Sequence, residues 1–403
     1  MIKNGFISEK NLLYTIFGSI YFAQGAALAY FQNYNKQYLD LNDVDEKIIG
    51  IISGILLIPF LLKIFIGIVS DHYPILGMGK RKPFILFGLM LGGISFFLAG
   101  FFSPEKDLLF FTLSIVFGVF SITLFDSSAD GLAIDSTEQY EHGKVQGIMV
   151  LSRSIAFISM STVFGRFAEN SNYGVIFWII TFCMLAPILI LLFYKAKPKE
   201  TRTEKFQWAA FSALRKSGFL VFALYVILYS LVSFGVDGLV SFFINRDLDA
   251  SDLNLENYAT LRSIGVIAGA IAGWILIDRL GHKKSSFYAL AFLSIGAILI
   301  SLAWNIYAVF IFGVIWGIAW GFQETVFFCL AMDITDSRIA ASMFAIITAI
   351  SNLGSVLAEI IFGGMVEDFG YRTLFQLLAC LNFVTFCILF LFFYMQKEKL
   401  KAK

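Results

Sequence analysis

Four ionisable side chains within long apolar runs could bind a proton or an anionic solute. Asp126 and Asp130 lie four residues apart in one run, so on a helix they share a face. Lys63 and Arg153 lie in two other runs, each about 12 Å from the same predicted end of the helices at 1.5 Å per residue, and Asp126 reaches nearly that depth. Each unpaired charge inside a membrane helix costs about 2.5–3.5 kcal/mol. We predict a cluster that lines a solute pathway, with a static ion-pair network between helices as the alternative.

A second polar group is expected in the other half of the chain. Gln323 and Glu324 lie about 13 Å from the same predicted end of their run. With Gln24 of the first run they could form a polar wall for a substrate. Trp316 and Trp320, one or two turns away, could add an aromatic surface, although packing in the core is the more common role of such rings.

A third set of charges falls toward the opposite ends of three runs. Asp237, Arg262 and Glu359 could pair there as an extracellular gate. The alternative is that they are interface residues whose side chains extend to water without a role in transport.

The elements that must position these residues follow from composition. The chain is 58% hydrophobic and 15% charged, whereas about a quarter of a soluble domain is charged. Its apolar runs are near the 20 residues that cross a bilayer, and in lipid runs of this length satisfy their backbone hydrogen bonds as helices rather than barrel strands. We therefore predict an all-α membrane protein with twelve transmembrane helices. The runs cover residues 12–33, 48–69, 83–103, 108–135, 145–167, 174–194, 217–244, 258–278, 285–304, 306–333, 340–364 and 373–395.

The longest polar segment divides these runs into two sets of six. We predict an N-terminal six-helix bundle at residues 1–194, a cytosolic linker at 195–216 and a C-terminal six-helix bundle at 217–403. Asp126 and Asp135 in the fourth run match Glu324 and Asp333 in the tenth at the same spacing, which either reflects related halves or arises by chance.

Basic residues are concentrated in alternate loops, and acidic residues such as Asp40, Asp43 and Asp247 in the others. The positive-inside rule then places both termini in the cytosol of a multi-pass protein of the plasma (inner) membrane. All four cysteines fall inside apolar runs, so no disulfide framework is expected.

A loop pattern follows the second run. The sequence Gly67-Ile-Val-Ser-Asp71 precedes Gly79-Lys80-Arg81-Lys82-Pro83. A glycine lets two helices approach closely, an aspartate can cap a helix N-terminus, and a basic run anchors the loop at the cytosolic surface. We predict a cytosolic gate loop built on Gly67, Asp71, Lys80 and Arg81, with topology anchoring alone as the alternative.

A degraded second copy of this pattern follows the eighth run. Asp278 and Arg279 lead into Leu280-Gly281-His282-Lys283-Lys284, but the preceding Gly273 is five residues upstream of Asp278 rather than four. We assign Asp278 and Arg279 to the same type of gate loop.

Together these loops resemble the signature of the major facilitator superfamily, a resemblance that extends over the whole chain. Pro59-Phe-Leu-Leu-Lys63, Tyr21-Phe-Ala-Gln-Gly25 and Ala331-Met-Asp333 are similar to the group that holds AmpG-type muropeptide permeases, acetyl-coenzyme A transporters and folate-biopterin transporters. The resemblance implies two bundles that alternate access to a site between them, and solutes that carry or tolerate negative charge.

The predicted function is secondary active transport of a small polar, anionic organic solute, coupled to protons. The alternative is a membrane sensor or scaffold that keeps the fold without transport. No nucleotide-binding G-x-x-x-x-G-K-[ST] sequence or nucleophile constellation is found, so no enzyme and no cofactor are expected. His72, His142 and His282 fall in loops, where we expect them solvated, and no metal site is predicted. The expected partners are a solute, a proton and the bilayer, with no nucleic acid, and the chain is expected to be a monomer.

Overall fold

The computed structural model describes residues 9–56, 58–72, 78–194 and 207–401, and this part of the chain is helical without a strand. Short 3₁₀ segments lie at Gln139–Glu141, Trp208–Arg215 and Ser337–Ile339, and a π-helical turn at Phe243–Asp247. The α-helices are α1 (Glu9–Asn33), α2 (Asn35–Asp40), α3 (Glu46–Ile55), α4 (Ile58–His72), α5 (Lys82–Ala99), α6 (Pro104–Ser136), α7 (His142–Ala168), α8 (Tyr173–Phe193), α9 (Ser217–Phe242), α10 (Asp252–Ser301), α11 (Ile306–Ile334) and α12 (Ala340–Lys401).

Two of the longest helices are interrupted by a glycine. Gly281 in α10 has φ 77° and Gly370 in α12 has φ 72°. A left-handed backbone of this kind suits glycine, which has no Cβ to clash. Each glycine therefore separates two consecutive helical spans.

The described chain contains eleven helical segments that are long and apolar enough to cross a membrane. One of them, Asn257–Ser301, covers two of the predicted runs. The break at Gly281 divides it into two spans. The eleven segments cover all twelve predicted runs, and the prediction of an all-α membrane protein is confirmed.

The outer surface of the helices is apolar. Large side chains are freely exposed on it, among them Phe182 at 73% and Phe383 at 72%. Exposed apolar patches of this extent are not found on soluble monomers, whereas a hydrocarbon environment accommodates them. These faces are the expected lipid-facing surface.

The described chain forms two compact units. Unit 1 comprises Met1–Glu138, Leu151–Gln207 and Thr335–Ala345. Part of its core is aromatic: the ring of Tyr38 stacks on Tyr173 with centroids 4.1 Å apart, and Phe177 meets Tyr30 edge to face.

Unit 2 comprises Gln139–Val150, Trp208–Ile334 and Ile346–Lys403. Its main core contains the fully buried side chains of Phe243, Trp316 and Phe375. The predicted division at residues 195–216 stays a prediction, because residues 195–206 lie outside the described part of the chain. The units differ from the predicted halves in the two segments 139–150 and 335–345.

Helices α10 and α11 pack backbone to backbone within unit 2. A Cβ on Gly265 or Gly269 of α10 would collide with carbonyl oxygens of α11, and a Cβ on Gly317 or Gly321 of α11 would collide with carbonyl oxygens of α10. Small residues four positions apart are the usual means by which membrane helices approach closely. This contact fixes the helices that carry Arg262, Gln323 and Glu324.

A pair of glycine substitutions tests this packing. In Gly269→Ala the new Cβ would collide with the carbonyl of Ile318, so we expect the free energy of unfolding to fall by about 1–3 kcal/mol. In the control Gly238→Ala on α9, the new Cβ meets nothing within 4 Å. Alanine lowers the entropy of the unfolded chain, so the free energy of unfolding should stay unchanged or rise by about 0.4–1 kcal/mol. Thermal unfolding of both variants in one detergent measures the difference. Equal melting temperatures would contradict the close approach.

Candidate substrate and proton site

Lys63 of α4 holds two carboxylates of α6. Its Nζ lies 2.6 Å from Oδ2 of Asp126 and 3.2 Å from Oδ2 of Asp130. The one-turn spacing places both acids on the face that meets α4. The hydroxyl of Tyr21 on α1 donates to Oδ1 of Asp130 at 2.5 Å. Three helices of unit 1 therefore meet at one cluster, which we call the Lys63 cluster: Tyr21, Lys63, Asp126 and Asp130.

Arg153 borders the Lys63 cluster. It lies on α7 in unit 1 and interacts electrostatically with the hydroxyl of Tyr21. The backbone at Arg153 packs directly on Gly25 of α1, where a Cβ would collide with the Arg153 carbonyl oxygen. The structure thus joins three of the four predicted charges in the Lys63 cluster and packs Arg153 against the helix that carries Tyr21.

Gln24 adds an unsatisfied polar group three residues after Tyr21 on α1. Its side chain is buried, and its Oε1 has no hydrogen-bond partner among the described residues. Ser127 Oγ, next to Asp126 in the sequence, is also buried without a hydrogen-bond partner among the described residues. Buried polar atoms normally find a partner, so these atoms are suited to bind water or a solute.

Gln323 and Glu324 lie on α11 in unit 2, among tyrosines. Gln323 Nε2 donates to the hydroxyl of Tyr225 at 2.9 Å, and its Oε1 is buried without a partner among the described residues. Glu324 interacts electrostatically with Tyr229. The rings of Tyr225 and Tyr229 stack with centroids 5.6 Å apart. The polar surface next to Gln323 is therefore built from tyrosine, which the sequence argument did not name.

Two of the three residues predicted as an outer gate form an ion pair. Nε of Arg262 lies 2.5 Å from Oδ1 of Asp237, and its Nη2 donates to Oδ2 at 2.8 Å. Trp316 Nε1 donates to Asp237 at 3.4 Å, and the Arg262 guanidinium lies 4.8 Å from the ring centroid of Trp320. Both tryptophans therefore contact this ion pair. Glu359 is exposed and forms no ion pair with either residue in the described structure.

The first gate loop caps a distant helix. Asp71, whose side chain is fully buried, accepts hydrogen bonds from the backbone N–H of Ala341 at 3.1 Å and of Ser342 at 2.8 Å, and from the Ser342 hydroxyl. These N–H groups belong to the first turn of α12, where a carboxylate complements the helix dipole. Gly67 permits the contact, because a Cβ there would collide with the backbone of Ala341.

Arg81 completes this arrangement. Its guanidinium lies 2.5 Å from Asp71 and 2.8 Å from Asp135, and it donates to Ser70 at 3.1 Å. Burial on its own would lower the pKa of Arg81, but the carboxylates of Asp135 and Asp71 outweigh burial and raise the pKa above its ordinary value. Burial and the charge of Arg81 lower the pKa of Lys80. The adjacent Pro74-to-Gly77 part of the motif lies outside the described residues.

The second gate loop does not repeat these contacts. Asp278 is exposed and accepts a hydrogen bond from Trp274 Nε1 at 2.8 Å, and Arg279 is exposed. Their side chains therefore do not form the buried acid and arginine pair of the first copy.

The expectation of three solvated histidines was wrong for two of them. His142, the first residue of α7, is only 6% exposed, and its Nδ1 lies 2.8 Å from Oδ1 of Asp333. Gly281 turns the chain so that the next residue, His282, meets the other carboxylate oxygen of Asp333. His72, the last residue of α4, is exposed as expected.

Comparison with known proteins identifies the family. The model of the Major Facilitator Superfamily matches residues 12–245 and 226–403, which is nearly the whole chain. The chain belongs to the Major Facilitator Superfamily. It is accordingly a multi-pass membrane transporter.

Individual relatives in the superfamily agree with this assignment. The anhydromuropeptide permease of Escherichia coli strain K12 is 24% identical over 374 residues, covering 88% of this chain and 74% of the permease. The structure of the human organic anion transporter MFSD10 aligns with a TM-score of 0.77 at 13% identity, over 94% of this chain and 99% of that one. The Escherichia coli fucose:proton symporter aligns with a TM-score of 0.73 at 13% identity, over 94% and 98%. The predicted resemblance to the superfamily and to AmpG-type permeases is confirmed.

Several residues that contact the site residues in the structure were not named as site residues from the sequence. Tyr21 stands in the Tyr-Phe-Ala-Gln-Gly sequence, and its position three residues before Gln24 on the same helix could have identified it. Ser342 carries no comparable signal, because it meets Asp71 from 271 positions away. His142 and His282 were set aside because they fall between apolar runs.

Proposed function

We propose that this superfamily member is a proton-coupled secondary transporter of a small polar, anionic organic solute in the plasma (inner) membrane. The observation that carries the proposal is Lys63 shared between Asp126 and Asp130 inside the membrane-spanning helices. Buried charges of this kind are costly in a membrane and mark functional sites by default.

The composition of the Lys63 cluster supports proton coupling. It contains two carboxylates, one ammonium and a tyrosine hydroxyl. A proton can join or leave one carboxylate while the ammonium stays paired with the other, so the site keeps an ion pair in either state. Proton binding can thus be linked to solute binding without exposing a lone charge.

Positive charge and unsatisfied polar atoms support an anionic solute. Lys63 and Arg153 both lie at the cluster, and an arriving carboxylate could compete with Asp126 for Lys63. Gln24 Oε1 offers a buried acceptor for a hydroxyl or amide of the same solute. The Escherichia coli relative is an anhydromuropeptide permease, so anhydromuropeptides are the first solutes to test.

The gate contacts support alternating access. In unit 1, Asp71 and Arg81 hold the first turn of α12 on α4, a contact that must be broken if these segments move during transport. We assign this loop to the cytosolic side and both termini to the cytosol, on the distribution of basic residues.

Transport by the purified protein in liposomes tests the proposal. With an acidic outer buffer, we expect a labelled anhydromuropeptide to accumulate above its outside concentration, and a protonophore to abolish the accumulation. Matched liposomes receive the same solute with its carboxylates amidated, which should not accumulate. Solutes are first ranked by the melting temperature they confer, since a ligand of the folded state stabilises it. Failure of every anionic solute to accumulate would favour the sensor or scaffold alternative.

A further inference from the structure

The part of α10 just after Gly281 and the C-terminal end of α11 contain a cluster of metal-ligand side chains outside the transport site. Cys329 and Asp333 lie four residues apart on α11 and so share a face. His282 faces them from the helix that starts after Gly281. One ligand atom from each of His282, Cys329 and Asp333 lies within 4.8 Å of the other two. All three residues belong to unit 2.

The chemistry of the three side chains matches a borderline-soft dication. Imidazole, thiolate and carboxylate are the usual ligands of Zn²⁺, and the combination of thiolate with imidazole disfavours Mg²⁺ and Ca²⁺. Zn–S and Zn–N bond lengths place sulfur and nitrogen about 3.6 Å apart on a tetrahedral ion. Cys329 Sγ lies 3.7 Å from Nδ1 and 3.8 Å from Nε2 of His282.

We propose that His282, Cys329 and Asp333 bind one divalent transition-metal ion of the zinc class. Cys329 binds the ion as a thiolate, so its thiol proton leaves to solvent, and His282 binds as a neutral imidazole through a ring nitrogen that carries no proton. Three protein ligands leave a fourth position for water.

His142 is a positioning residue of this site. Its Nδ1 lies 2.8 Å from Oδ1 of Asp333, so it fixes the carboxylate while the other oxygen faces His282. A hydrogen bond of this type orients a metal-binding carboxylate, and its loss typically weakens metal binding by about 10–100-fold. Through His142 the ion also joins the first turn of α7 to the C-terminal end of α11 and to the part of α10 just after Gly281, all within unit 2.

Cys329 is the cysteine of the cluster, and the other three cysteines can be replaced without changing it. Cys329 is 1% exposed, whereas Cys380 and Cys387 are exposed and Cys183 lies in unit 1. A variant with Cys183→Ser, Cys380→Ser and Cys387→Ser therefore retains Cys329 as its single thiol.

Cobalt titration of this single-thiol variant, purified in detergent, tests the site without any transport measurement. We expect one equivalent of Co²⁺ to bind, with a thiolate-to-cobalt charge-transfer band and the visible bands of a tetrahedral ion, and Zn²⁺ to displace it. A further Cys329→Ser change should remove the charge-transfer band. His282→Ala and Asp333→Asn should weaken binding at least about tenfold, and His142→Gln should weaken it about 10–100-fold while the band remains.

Two results would overturn the assignment. Absence of stoichiometric Co²⁺ and Zn²⁺ binding by the single-thiol variant and by the unsubstituted protein would leave the cluster as a hydrogen-bonded network only. Equal affinity after Cys329→Ser, with the band unchanged, would show that the ion binds elsewhere. Because the first measurement needs no substitution in the site, misfolded site variants do not weaken the test. Metal binding and transport can each fail without the other.

Discussion

Replacing Asp130 with asparagine is expected to abolish uphill accumulation of the solute in liposomes while exchange of bound solute across the membrane continues. Asparagine keeps the shape of the side chain and an oxygen that can accept from the Tyr21 hydroxyl, but it cannot bind or release a proton. Lys63 stays paired with Asp126 at 2.6 Å, so the helices remain joined. The accumulation ratio should fall to the passive value, measured with a labelled solute under a pH gradient.

The same series includes a matched control. Asp126→Asn removes the shorter of the two ion pairs with Lys63 and should also abolish accumulation. Asp368→Asn makes the same chemical change at an exposed aspartate of unit 2, and accumulation should match that of the unsubstituted protein. Normal pH-driven accumulation in both Asp126→Asn and Asp130→Asn would remove the Lys63 cluster from proton coupling.

The transmembrane architecture could be predicted because lipid imposes simple rules. A run near 20 apolar residues must be helical in hydrocarbon, whatever packs against it. Depth counted at 1.5 Å per residue was enough to place Lys63 beside Asp126, since both are measured from the same membrane surface. Helix starts at α3 and α7 and the break at Gly281 needed backbone detail that hydropathy does not carry.

Contacts at the helix ends could not be predicted, because they join residues far apart in the sequence. Asp71 meets Ser342 across 271 positions and His142 meets Asp333 across 191. A loop histidine next to apolar runs has no local feature that distinguishes solvation from burial. The same limit applies to Glu359, which shares a predicted depth with Asp237 and Arg262 but is exposed in the structure. Counting residues along a helix gives the depth of a side chain in the membrane, but not which neighbouring helix the side chain faces.

Replacing Asp71 with asparagine is expected to detach the first turn of α12 from α4. The carboxylate accepts from the N–H groups of Ala341 and Ser342 and pairs with Arg81. An asparagine amide offers one acceptor oxygen and points N–H groups at the remaining donors. It also leaves Arg81 buried with half of its counter-charge. Breaking a buried ion pair costs about 3–5 kcal/mol, and transport should fall severely.

Hydrogen exchange at the amides of Ala341 and Ser342 measures this effect directly. If the contact loses about 3 kcal/mol or more, these amides should exchange about 100-fold faster or more, provided that they exchange through local opening.

Asp278→Asn is the internal control for this prediction, because Asp278 occupies the corresponding place in the second copy of the loop. Asp278 is exposed and accepts from Trp274 Nε1, a bond that an asparagine oxygen can still accept. Stability should change by less than about 0.5 kcal/mol and transport should persist. Equal effects of the two substitutions would mean that the loop acts through its surface charge alone. Unequal effects would assign the function of the motif to burial of one aspartate at a helix N-terminus, since both substitutions remove one negative charge from a copy of the loop.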